Sequence, residues 1–190
     1  YAWGETTTKS AIYDWSTYLN GHISSYSKCG TAVDALKGVT DIAGTEYDAA
    51  YVNWGGKWRM PTHAQQDELR EQCYWVWTES YNNSNVKGYV VYKAKSSSDK
   101  GKKYNSGETP SSSYSLGDAH IFLPAAGYRV SGGLYDAGSC GYFWSSSLDT
   151  GYPYLAQFVN FYSGDVDNID GNYRYYGYSV RAVCLVCLAK

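Results

Sequence analysis

At 190 residues and 21.1 kDa, with 44% hydrophobic residues, the chain is sized for one compact domain, 1–190, with a sizeable core. A net charge of -2 and a pI near 5.9 supply no global basic field, which argues against nucleic acid as a partner, and no apolar run is long enough for direct insertion across a bilayer. The mean hydropathy of -0.47 beside 22 Tyr means that much of the apolar material carries a polar handle, and such rings suit surfaces as well as cores. The sequence opens on Tyr1 rather than Met, so a leader or a longer N-terminal region is expected upstream, and secretion is left open.

In chain order, residues 8–19 (TKSAIYDWSTYL) place Ile12, Trp15, Tyr18 and Leu19 at helical spacing ahead of Gly21, predicting a first helix. Residues 45–53 predict a short second helix entered through Thr45 and ended before Trp54-Gly55-Gly56. Thr62 followed by Gln65 is a capping box, opening a third helix that carries Leu69 and Cys73. After Trp77 the pattern becomes strand-like over 88–94, 119–130, 141–147, 155–161 and 178–186. The polar, Ser-rich segment 95–115 reads as a solvated loop. Helices in the N-terminal half and a twisted antiparallel sheet in the C-terminal half make an α+β chain.

The five Cys are an odd number in a chain too large to need disulfide staples, so at least one thiol is free or intermolecular. Cys184 and Cys187 have CxxC spacing, but they fall in an apolar run (VRAVCLVCLA) that reads as a strand, where positions i and i+3 face opposite ways. Buried thiols are the expectation, with no metal and no cofactor. Trp54, Trp58 and Trp144, flanked by Gly and Ser, are expected as core rings. Arg59 and Arg181 lie in apolar runs, where a guanidinium persists only when carbonyls or carboxylates satisfy it, so both are expected to tie loops to the sheet.

The segments YAWGET (1–6), DAAYVNWGGKWRMPT (48–62), IFLPAAGYR (121–129), GYFWSSS (141–147) and GYSVRAV (177–183) together resemble the Fibrobacter-succinogenes-major-paralogous type of domain of gut Bacteroidetes. That family is similar to the formylglycine-generating-enzyme branch of the C-type lectin fold, which is therefore the fold the resemblance implies. Part of that fold serves as variable proteins of diversity-generating retroelements, whose C-terminal region is rewritten at template adenines. Rewritten Asn codons keep a third-position pyrimidine and cannot encode Trp, Gln, Lys, Glu or Met. From Thr109 to Ala189 the chain has no Lys, Glu or Met, although ten of its eleven Lys and all six Glu lie at or before Glu108; of the excluded set only Trp144 and Gln157 occur there, both at positions that read as fixed. Strands and turns are poor in these residues in any case. The resemblance implies a ligand-binding display scaffold with a candidate variable region at 141–178.

Alternation in Ala156-Gln157-Phe158-Val159-Asn160-Phe161 puts Val159 and Phe161 on one face, leaving Phe158 and Asn160 on the other with Ala156. Ser163-Gly164 reads as a turn, Val166 as inward, Arg174 as an anchor, and Tyr142 and Tyr178 as packing rings. The candidate surface then comprises Phe143, Leu148, Asp149, Gly151, Tyr152 and Tyr154, followed by Phe158, Asn160 and Tyr162. It continues through Asp165, Asp167, Asn168, Ile169, Asp170, Gly171, Asn172, Tyr173, Tyr175 and Tyr176. Tyr supplies rigid amphipathic area while Asn, Gly and Asp supply adaptable hydrogen bonds, the chemistry of antibody paratopes. Tyr152, Tyr154, Phe158, Tyr173, Tyr175 and Tyr176 are the expected hot spots.

The partner expected is a protein or other surface ligand of a host or neighbouring cell, with the carrier a cell surface or a phage particle. Enzymes of the formylglycine-generating branch use a Cys pair and copper, for which this chain shows no apparatus. His22, His63 and His120 lie in unrelated segments, and no catalytic arrangement can be read from them. The Asp/Asn-rich 165–172 stretch lacks the Glu-Pro-Asn, Gln-Pro-Asp and Trp-Asn-Asp motifs of calcium-dependent sugar binding, so a metal-independent surface is expected. An invariant adhesin or surface lipoprotein domain of the same fold is the alternative reading.

Overall fold

The computed structural model describes residues 1–10 and 12–184, excepting the side chains of residues 168–170. The elements are α1 (Ala49–Trp54), β1 (Trp58–Arg59), α2 (His63–Gln72), β2 (Cys73–Thr78), β3 (Gly88–Lys93), β4 (Lys103–Tyr104), β5 (His120–Pro124), β6 (Tyr128–Val130), β7 (Gly133–Tyr135), β8 (Cys140–Leu148), β9 (Leu155–Tyr162), β10 (Asp165–Tyr173) and β11 (Val183–Cys184). The protein is mixed α/β and rich in sheet, with two α-helices among the described residues. Its strands form four small sheets, ordered β4-β2-β3-β5, β10-β9-β8, β6-β7 and β1-β11. Pairing is antiparallel except that β4 runs parallel to β2, so a single antiparallel C-terminal sheet does not describe it.

The capping box forms as its sequence predicts: Thr62 Oγ1 accepts from Gln65 N at 3.2 Å, and Gln65 Oε1 accepts from Thr62 N at 3.0 Å. The short helix before it starts later than Thr45. Asp48 is its N-cap, fully buried, with Oδ1 accepting from Ala50 N and Tyr51 N while Oδ2 accepts from Gly44 N and Met60 N. A carboxylate with two oxygens satisfies more orphan donors than a hydroxyl, so it takes the cap.

Among the described residues the α-helix expected over 8–19 is absent, and only a 3-10 turn, Tyr18–Gly21, overlaps its end. Asp14 Oδ1 accepts from Ser16 N and Thr17 N, and Leu19 and Asn20 take positive φ of 46° and 57°. These local side-chain bonds offer the backbone an alternative to a helix. Tyr13 instead bridges to Ser131, and Tyr13 and Tyr18 are buried as loop residues.

Two strands replace expected helix end and loop. β2 follows α2 without a gap, and the Asp/Asn-rich β10 pairs with β9 from Asp165↔Tyr162 to Tyr173↔Leu155. Backbone pairing with an existing strand overrides the low strand propensity of Asp and Asn. The strand predicted over 119–130 breaks at Ala125–Gly127, where Gly127 has φ +67° and a Cβ would stand 2.0 Å from the Tyr135 carbonyl oxygen. Of the 178–186 strand, the described residues show Val183–Cys184 in β11, while Cys187 lies outside them.

The sheet β10-β9-β8 is the middle layer. One face packs Trp144, Leu148, Ala156 and Phe158 against Trp3, Leu36, Ile42, Met60 and Tyr178. The other packs Phe143, Val159, Phe161 and Val166 against Trp75, Trp77, Tyr89 and Leu123. Fully burying a Val, Leu, Ile, Phe or Met side chain contributes about 1.5–3 kcal/mol relative to exposure. The outer face of the four-stranded sheet, Tyr74, Val90 and Tyr92, is covered by the Ser-rich segment, whose Tyr114 stacks on Tyr74 at 4.3 Å. That segment is folded onto the sheet rather than fully solvated.

Trp144 is a core ring, but Trp54 and Trp58 are not: they are 52% and 44% exposed. Among the described residues, short α1 and two-residue β1 have no layer outside them to cover those rings. Arg59 packs its guanidinium against Gly44 with Nε unpartnered, and Arg181 is exposed, so neither makes the anchoring bonds expected. Cys184 is likewise exposed, against the expectation of a buried thiol, because among the described residues β11 pairs only with β1. The buried anchor is Arg174.

Candidate functional site

The hairpin β9-β10 fixes where the candidate residues go. Its turn, Ser163-Gly164, lies at one end; the other end, at Leu155 and Tyr173, is seven residue steps away, roughly 24 Å in extended backbone. Tyr162, Asp165 and Asp167 sit at the turn end, where Asp165 meets Lys103 at 3.7 Å. Asp149, Gly151, Tyr152, Tyr154, Gly171, Asn172, Tyr173, Tyr175 and Tyr176 gather at the opposite end. The sequence-derived surface is thus two groups, not one.

Three members are core. Phe143, Leu148 and Phe158 are buried, Phe158 to 3% exposure. The alternation of β9 was correctly phased, but both faces of the strand are covered, so the face opposite Val159 and Phe161 is no surface. Asn160, half-buried between Tyr142 and Asp167 in the ladder, leaves Oδ1 without a partner among the described residues. Asn168, Ile169 and Asp170 lie in β10, with side chains outside the described residues.

At the end away from the turn, the rings form a continuous belt. Tyr152 contacts Tyr154 at 5.8 Å between centroids, Tyr154 contacts Tyr173 at 5.9 Å, and Tyr173 stacks on Tyr175 at 5.5 Å and 11°. Tyr175 meets Tyr176 at 5.0 Å. Offset and edge-to-face arrangements of this kind are favourable beyond their buried area. Tyr152 is 55% exposed and Tyr173 37%, while Tyr154, Tyr175 and Tyr176 are half-buried, so the belt offers water edges and parts of faces.

The belt extends through residues the sequence did not mark. Trp15 packs edge-on to Tyr175 at 4.9 Å and Tyr26 to Tyr154 at 5.6 Å. At the far side Tyr176 stacks on Tyr128, which stacks on Tyr135. Trp15 had been assigned to a helix, and Tyr26, Tyr128 and Tyr135 carry no local signal that links them to residues 150–176. Only the tertiary fold brings the three loops together.

Polar groups hold the belt in place. Asp149 Oδ1 accepts from Gly151 N at 2.8 Å and Tyr152 N at 3.2 Å, fixing the turn that presents Tyr152. Asn172 Nδ2 donates to the buried Tyr178 hydroxyl at 2.6 Å. Tyr178, as expected of a packing ring, stacks on Trp144 at 4.3 Å, and burial pushes its phenol well above the usual range. Burial, and then the Tyr176 hydroxyl beside it, push Tyr175 up to about 12. Tyr154, whose phenol burial also raises, Tyr175 and Tyr178 are therefore uncharged at neutral pH.

Burial also pushes the thiols of Cys29, Cys73 and Cys140 up, which favours the protonated form over the nucleophilic thiolate. Among the described residues no group of three or more His, Cys, Asp or Glu is placed to hold a metal ion. No described helix is long and apolar enough to cross a membrane. The arrangement can bind by ring contact and hydrogen bonding. Compared with family models, with curated proteins and with solved structures, the chain matches none.

Proposed function

We propose that this chain is a ligand-binding display scaffold with a C-type lectin-like fold, whose C-terminal surface is diversified by a retroelement and whose ligand is a protein or other surface molecule of a host or neighbouring cell. The observation that carries this reading is the tyrosine belt: five of its rings, Tyr152, Tyr154, Tyr173, Tyr175 and Tyr176, come from the segment that the resemblance marks as variable. They stand on a sheet buried on both faces, so a rigid layer supports an adaptable surface, the division a paratope needs. The absence of Lys, Glu and Met between Thr109 and Ala189 fits rewriting at pyrimidine-ended codons.

The test is to sequence codons 140–184 across the source population and to search the adjoining DNA for an adenine-rich near-copy. Substitutions confined to the first two bases at Tyr152, Tyr154, Tyr173, Tyr175 and Tyr176, with codons for Trp144 and Arg174 constant, are the expected result. An invariant stretch with no template would sink the diversification and leave a fixed surface-binding domain, such as an adhesin or a lipoprotein domain on a cell surface.

A further inference from the structure

A second concavity shares no wall with the tyrosine belt. About 490 Å3 in volume, it is lined by Leu69, Ile121, Leu123, Phe143, Val159 and Val183 among others, between α2, β5 and β11. Its size and apolar lining fall within the range of small-molecule sites, about 300–1,000 Å3. Its few polar groups give it a direction. Arg181 lines this cavity and also its neighbour of about 520 Å3 beside Trp54 and Trp58; it is exposed and makes no hydrogen bond or ion pair among the described residues. Gln66, in the wall, is buried: its Nε2 donates to the Phe143 carbonyl at 3.0 Å and its Oε1 has no partner among the described residues.

An anionic group is drawn to the free guanidinium, which matches a carboxylate with two parallel N–H donors. The same group is repelled by the unpartnered acceptor on Gln66. The apolar walls exclude a ligand that is polar throughout. We propose that this cavity binds an amphiphilic carboxylate of the fatty-acid type, with its single apolar chain against Leu69, Ile121 and Val159 and its carboxylate on Arg181. The site is independent of the binding role assigned to the tyrosine belt.

The test uses the full chain with decanoate and its neutral analogue decanol, read by calorimetry and by the rate at which Cys184, an exposed thiol in the cavity wall, is alkylated. Decanoate is expected to bind saturably, to slow alkylation of Cys184 and to bind more tightly than decanol. Arg181→Gln should weaken decanoate about tenfold, the scale of one charge-assisted contact, and leave decanol and the unfolding midpoint unchanged. Equal affinity for decanoate and decanol, or indifference to Arg181→Gln, overturns the proposal. So does failure of both to bind, and self-association of the chain abolished by Trp58→Ala would then assign the cavity to a second copy.

Discussion

Arg174 Nη2 donates to Asp34 Oδ2 at 2.8 Å with both side chains out of contact with water, joining the residue after β10 to a loop 140 positions earlier. Asp34 also accepts from Gly30 N and Leu36 N, and the guanidinium lies over the rings of Trp3 and Tyr18. Arg174 Nε and Nη1 have no hydrogen-bond partner among the described residues, and beside the weak contact of the Cys29 thiol the Asp34 pair is the main compensation for burying this charge. Asp34→Ala is expected to cost about 3–5 kcal/mol in urea unfolding, since it strands a buried cation. A change below about 1 kcal/mol would show that the cation is hydrated there.

Asp48 ties two loops and a helix start together through buried bonds. Asp48→Ala should exceed the usual cost of a lost cap, roughly 0.5–2 kcal/mol, because Gly44 N and Met60 N lose their acceptor as well. Asp48→Asn keeps one acceptor oxygen and should fall between. Equal unfolding midpoints for the two variants would contradict the assignment of both oxygens.

Core and belt should respond oppositely to truncation. Trp144→Ala removes a fully buried ring and is expected to cost about 3–5 kcal/mol. Tyr152→Ala, at the exposed end of the belt, should stay within about 0.5 kcal/mol. Comparable losses in thermal unfolding for both would remove the distinction between support and surface.

Glu79 tests the acid side. Hydrogen bonds from Lys87, Ser106 and Trp77 hold its carboxyl at about 2, below its ordinary 4.5. A depressed native value stabilises the fold fully above 4.5, and that contribution disappears as the pH falls through 2. The stability difference between the native chain and Glu79→Gln should therefore be constant near neutrality and shrink across that window. A difference that persists at pH 2 would point to packing rather than charge.

Tyr175 tests the alkaline side. Its raised value, about 12 against an ordinary 10.0, stabilises the fold below 10 and is lost as the pH rises towards 12. Ultraviolet titration of native protein should show one tyrosinate fewer in Tyr175→Phe only at the upper end of this range. Loss of signal near 10 would mean that the ring stands in water.

Much of the local structure was legible in the sequence because its causes are local. Thr62 and Gln65 close their capping box within one turn, and the strands from β8 to β9 follow from alternation and β-branched or aromatic residues. Ser163-Gly164 makes its turn, Val166 faces inward and Arg174 anchors, each where the sequence put it. The segment 8–19 misled because the helical spacing of Trp15 and Tyr18 is matched equally by residues of an irregular segment that pack into a neighbouring cluster, while Ile12, on the same supposed face, is exposed.

Sequence alone determined the capped helix, the alternation that puts Val159 and Phe161 on one face, and the supply of tyrosines in the C-terminal third. The tertiary structure decided which of those rings reach water. Period-two alternation separates the two faces of β9 but says nothing of what covers them, and layers on both sides buried Phe158 along with Val159. Likewise Trp15, Tyr26 and Tyr128 met Tyr175, Tyr154 and Tyr176 only through contacts between segments distant in the chain, for which a local pattern carries no signal.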